Sequence, residues 1–268
     1  MRSPSVLLSR VAFLVLLADP ARCQVAPPPS GSSSQIQKDW ALGQRLAQDL
    51  ERKDGRVNDP SIVGYLQRIE NQIALAIGGK PLEVRVTRGT DRYAFLLPHN
   101  VLYLSGSLLE RIENEAELAG LLAHQLAHSR TDRVATAPRQ GLEVRLPKCV
   151  LASPFTLGRS DEMREPERQA TAAAIGDLKA AGYEPSALLD LLSKLVYEHP
   201  VWAKAIPPED LLNFRATLET ETPPTTGYRI DTSEFMQQHA KLVTALGHAA
   251  RKMRPPSLMS AGNRSAIY

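Results

Sequence analysis

The sequence predicts an α+β protein, a mainly helical body carrying one small antiparallel sheet. Two patterns predict it. Apolar residues recur at helical spacing in several long segments, and only between residues 82 and 104 do short segments read as strands, the first of them alternating apolar and polar residues. Composition agrees: the 268 residues are 43% apolar with a net charge of +3. That excludes an intrinsically disordered chain, and two cysteines exclude a disulfide-stapled miniprotein. Near balance of 32 basic and 29 acidic residues gives no basis for a nucleic-acid partner.

The first segment reads as a secretory signal peptide, residues 1–23. Arg2 and Arg10 precede the apolar run from Val11 to Ala18, and Ala21 and Cys23 supply small residues for cleavage. The run is shorter than the roughly 20 residues a membrane span needs, so no integral segment is expected after cleavage. Cleavage would remove three Arg and one Asp, leaving a nearly neutral chain with Cys149 as its only thiol. Residues 24–34, with Pro27-Pro28-Pro29 and a Ser-rich run, read as a disordered leader.

A first helix follows on Ile36, Trp40, Ala47 and Leu50, closed by Lys53-Asp54-Gly55. A second starts from Asp59 as cap with Pro60 at its first position, shows Ile62, Leu66, Ile69 and Ile73 on one face, and stops at Gly78-Gly79. Leu82 to Val86, Tyr93 to Leu97 and Val101 to Leu104 are the strands. Asn114 and Glu117 open a helix of the capping-box kind that runs to about Arg130. Breakers between Arg133 and Ser160 predict a long loop, after which helices are expected at 161–181, 185–197, 208–218 and 231–253, then a disordered tail from 255. The domain reading is 35–200 for the main body and 201–254 for a helical extension.

One place has the makings of a chemical site. His124-Gln125-Leu126-Ala127-His128 puts two imidazoles one helical turn apart on the same face, where both can reach one metal ion. Among six histidines that spacing alone is weak evidence, and the surrounding residues strengthen it. The run Glu115-Ala116-Glu117-Leu118-Ala119-Gly120-Leu121-Leu122-Ala123-His124-Gln125-Leu126-Ala127-His128 resembles the active-site helix of the M48 family of zinc metallopeptidases, patterned E-x-E-L-A-G-x-x-A-H-E-x-x-H. Tyr93 to Pro98 and Val101 to Gly106 are similar to the family's strand pair, and Glu165 to Thr171 falls where the family has E-x-E-x-E-A-D.

The resemblance implies a gluzincin-like body in which His124 and His128 are zinc ligands and Gln169, at the E-A-D glutamate, is the third. Gln125 takes the general-base position. In the family zinc lowers the pKa of its water to about 7 and the glutamate there takes the proton. A glutamine cannot, and losing a general base costs about 10²–10⁴ in rate. Gln169 in place of a carboxylate implies zinc that is weakly held or absent, and Thr171 replaces an aspartate that would orient a ligand. Asp132, Glu165 and His199 are the candidate substitute ligands. Val101, Tyr103 and Ser105 mark the strand on which an extended peptide would lie by main-chain hydrogen bonding.

Two functions therefore stand, with a third behind them. The first is an exported pseudopeptidase or very weak peptidase that binds extended or unfolded polypeptide, substrate or client, in the cell envelope, secreted or periplasmic. The second is an active zinc metalloendopeptidase using substitute ligands. In the third the late helices do the work and the peptidase body is their scaffold.

Overall fold

The computed structural model describes residues 33–97, 100–131 and 160–253. The signal-peptide reading, most of the leader, the 132–159 loop with Cys149 and Asp132, and the tail from 255 lie outside the described residues.

Eight α-helices and three strands are described: α1 (Ser33–Asp54), α2 (Pro60–Ala76), β1 (Glu83–Thr87), β2 (Ala94–Leu97), β3 (Val101–Ser105), α3 (Gly106–Leu109), α4 (Glu115–Thr131), α5 (Ser160–Ala181), α6 (Ser186–Glu198), α7 (Pro208–Glu219) and α8 (Ser233–Met253). A 3-10 turn, Pro200–Lys204, links α6 to α7. The caps are those the sequence encodes. Asp59 Oδ1 accepts from the Ser61 and Ile62 amides at the start of α2, and Asn114 Oδ1 accepts from the Glu117 amide at 2.9 Å at the start of α4. Glu117 reaches back to the Glu113 amide, one residue earlier than a strict capping box.

The sheet is mixed rather than antiparallel. Its order is β1-β3-β2, with β2 antiparallel to β3 and β1 parallel to it, Glu83 opposite Val101. Alternation marks β1 and short apolar runs bounded by turn residues mark β2 and β3 as strands. Neither pattern carries information on strand direction, so the β2–β3 hairpin was legible and the parallel partner was not.

Helix α4 is the axis of the molecule. Ala116, Leu118, Ala119, Leu121, Leu122, Ala123, Leu126 and Ala127 are all buried, so it is covered on every side, by α2, α5, α6 and β2. Each fully buried leucine there contributes about 1.5–3 kcal/mol relative to an exposed one. At Gly120 a Cβ would stand 3.0 Å from Leu188 Cβ and 3.1 Å from its Cα, so α6 approaches this closely only because residue 120 has no side chain.

The 201–254 segment shares this core. Trp202, Ile206, Leu211, Phe235 and Leu242 are buried within it. The chain before α8 is tied down by backbone bonds, Arg229 N to Gly182 O and Ala116 N to Ile230 O, both 2.9 Å. Beneath them the buried Glu115 carboxylate accepts from Tyr65 at 2.8 Å, Tyr183 at 3.1 Å and Thr232. Burial and the facing carboxylate push the Tyr183 phenol up to about 12, so it stays a donor.

A second polar centre lies where α2, α4 and α5 meet. Arg130 Nη2 donates to Asp177 Oδ2 at 2.6 Å, and the fully buried Glu70 accepts from the Leu82 amide at 3.1 Å. Burial pushes the Glu70 carboxyl up to about 7, against the opposing pull of the Leu82 amide and Arg130. A carboxyl raised on folding costs nothing below its unfolded value near 4.5, and the cost builds as pH rises to the folded value. Glu70→Gln is therefore expected to leave the melting temperature unchanged at pH 4 and to raise stability by about 3 kcal/mol above pH 8, read from paired thermal melts. Equal effects at both pH values would refute this assignment.

Candidate metal centre

His124 and His128 come from consecutive turns of α4 and face α5. Their rings meet edge to face with centroids 4.7 Å apart. Opposite them stands Glu167 of α5, whose Oε2 lies 3.3 Å from His124 Nε2 and 3.4 Å from His128 Nε2. All three residues are buried, at 0%, 0% and 1% exposure, and their ligand atoms lie within 4.8 Å of one another. No other group of three such residues is found among the described residues.

These distances suit a metal. Three donors each about 2.0–2.2 Å from one tetrahedral zinc stand roughly 3.3–3.6 Å apart, the separations seen between Glu167 and each imidazole. The donor set fits as well, two neutral nitrogens and one carboxylate. Burial alone would raise the Glu167 carboxyl, but the His128 and His124 imidazoles facing it hold it far below the usual carboxylate range, so it is ionised.

Glu167 is the residue that sequence reasoning missed. Gln169, read as the third ligand, is exposed and donates to Glu165 Oε1 at 2.8 Å. Two residues along a helix turn the side chain by about 200°, so a register error of two moves a ligand to the opposite face. The buried stripe of α5, Met163, Glu167, Ala170, Thr171, Ala174 and Leu178, was the available signal. It runs at helical spacing through Glu167 and skips 169, and a carboxylate on an otherwise apolar face marks a functional position.

The other predicted site residues divide. Gln125 is completely buried on the turn between the two histidines, consistent with the base position. Thr171 places its Oγ1 3.4 Å from His124 Nε2. Val101, Tyr103 and Ser105 do not form an open edge, because β3 is the central strand and is paired along both sides. Tyr103 instead donates to Glu51 at 2.6 Å, and Ser105 Oγ accepts from the Tyr93 amide at 3.0 Å. Glu165 is exposed and paired with Arg168. His199 is held by Arg92 at 2.9 Å and stacks on Trp202, away from α4.

A small pocket borders the cluster on its α7 side, lined by Glu167 and Thr171 on one wall and by Ala205, Ile206, Leu211 and Phe214 on the other. Among the described residues no helix is long and apolar enough to cross a membrane.

No curated protein matches the chain. The family model of Peptidase family M48 matches residues 63–145, a stretch that takes in most of α2, the sheet and both histidines of α4, so this part of the chain is similar to that family.

Proposed function

We propose that this chain is a metallopeptidase-like protein that keeps its zinc ligands and has lost its general base, a zinc-holding pseudopeptidase or very weak peptidase. The observation that carries this reading is the conjunction of a buried Glu167 carboxylate facing His124 and His128 with a glutamine at residue 125. A bound zinc would supply Lewis-acid polarisation of a carbonyl. The chain's own residues would hold it, His124 and His128 from α4 and Glu167 from α5. Gln125 can donate or accept a hydrogen bond but cannot take up a proton near neutral pH.

The ligand it would act on or retain is extended or unfolded polypeptide, the substrate class of the family, and the signal-peptide reading of residues 1–23 points to the cell envelope as its place. An active metalloendopeptidase is the second reading. It gains from the complete ligand set, which makes substitute ligands at Asp132, Glu165 or His199 unnecessary, and it loses at Gln125.

Zinc content of the purified protein is the test, together with cleavage of an unfolded protein before and after chelation. One zinc per chain is expected, with a lower melting temperature on its removal and slow or undetectable cleavage. Absence of zinc at micromolar free metal overturns the proposal, and rapid chelator-sensitive cleavage by the wild-type chain replaces it with the second reading.

A further inference from the structure

The three donors of the metal centre come from only two helices, so the spacing of Glu167 from His124 and His128 is set by how α4 and α5 lie on one another. Much of what packs there is small, Ala123 and Ala127 on α4 and Ala170 and Ala174 on α5. Such a contact resists separation of the helices, but dispersion and burial are non-directional and do little to fix rotation or sliding. Directional bonds add to that packing, with Thr171 Oγ1 3.4 Å from His124 Nε2 at one level of the two helices.

Arg130 stands two residues beyond His128 in the last turn of α4, and its guanidinium meets Asp177 of α5 at 2.6 Å. Asp177 is 8% exposed and shares its helix with Glu167. Glu70 of α2 is near enough for the charges of Arg130 and Asp177 to act on its carboxyl. It is fully buried, its Oε1 is taken by the Leu82 amide, and its Oε2 has no hydrogen-bond partner among the described residues. The Arg130 side chain is 35% exposed, pairs with the carboxylate of Asp177 on α5, and acts on the Glu70 carboxyl of α2 only through its charge.

We propose that Arg130 and Asp177, backed by Glu70, are positioning residues for the metal centre, a bond that fixes the last turn of α4 against α5 and so holds His128 at its distance from Glu167. The proposal rests on the metal-binding reading above. Neither residue touches the cluster, and their influence passes through the backbone of α4 and α5.

The test is zinc affinity by chelator competition at one pH, beside thermal melts, for the full chain and three variants. Asp177→Asn is expected to weaken zinc about 10-fold or more, the lower end of the range for groups that orient ligands from behind. Asp177→Glu is expected to restore most of that loss. Glu115→Gln, which disturbs a buried network remote from the cluster, serves as the stability control and should lower the melting temperature while leaving zinc affinity within about twofold. If Asp177→Asn melts lower but binds zinc as the wild type does, the pair is only structural and the proposal is overturned. If zinc falls equally in Asp177→Asn and Glu115→Gln, affinity follows global stability and it is overturned as well. A wild-type chain that binds no zinc sinks the metal reading itself.

Discussion

Gln125→Glu is expected to raise chelator-sensitive hydrolysis of an unfolded protein by about 10²–10⁴ over the wild type. The substitution is nearly isosteric, so a residue as buried as Gln125 should be accommodated without repacking. What changes is the chemistry. An amide oxygen has no useful basicity at neutral pH, whereas a carboxylate beside the two histidines can take a proton and return it to a leaving amine. Charge shapes the second expected result. With zinc bound, His124, His128 and Glu167 leave a net positive centre, and a carboxylate at 125 is paired with it. Without zinc, two buried carboxylates share two imidazoles, so the variant should be destabilised by chelation more than the wild type is. Rate is read from fluorescence of a quenched protein substrate, and the zinc dependence from melts with and without chelator. A variant that holds zinc and cleaves no faster would place the defect elsewhere in the cleft and sink the assignment of residue 125 as the lost base.

The parts of this fold that the sequence makes legible are those where a local rule decides. Asp59 and Asn114 cap helices because a short acceptor precedes an apolar periodic run, and both accept the expected amides. His124 and His128 share a face because four residues are close to one helical turn. Legibility fails where a partner distant in sequence decides. β1 lies parallel to β3, and nothing in Glu83–Thr87 encodes the direction of its neighbour. Val101–Ser105 looked like a peptide-binding edge, and the order β1-β3-β2 buries it in the middle. Residues 201–254 read as an extension because the resemblance stops near Pro200, and local pattern does not say that Phe235 and Leu242 are buried in the core or that α8 packs on α2. The third ligand failed for a different reason. The letters of the motif point to Gln169, whereas the buried face of the helix carries Glu167. In that register a carboxylate faces the two histidines, and the departures that remain at the site are Gln125 and Thr171.

Glu167→Gln against Gln169→Glu turns that register into an experiment. Glu167→Gln is expected to weaken zinc on the order of 100-fold or more. Even at an effective dielectric near 20 a carboxylate in contact with a dication is worth several kcal/mol, and at Glu167 the desolvation of that carboxylate has already been met in folding. The amide that replaces it keeps the shape and removes the charge, so the loss reports on ligation rather than packing. Gln169→Glu is expected to leave zinc affinity unchanged, because residue 169 is exposed and its new carboxylate would stand beside Glu165 and Arg168 in solvent, where an ion pair contributes at most about 1 kcal/mol. Isothermal titration with zinc on both variants decides it. Were Gln169→Glu to tighten zinc while Glu167→Gln left it alone, α5 would have to turn by about 200° from the arrangement described, and the His124, His128 and Glu167 centre would be wrong. With the opposite result His124, His128 and Glu167 stand as the ligands, and the departures left at the site are the proton acceptor missing at residue 125 and Thr171 in place of an aspartate.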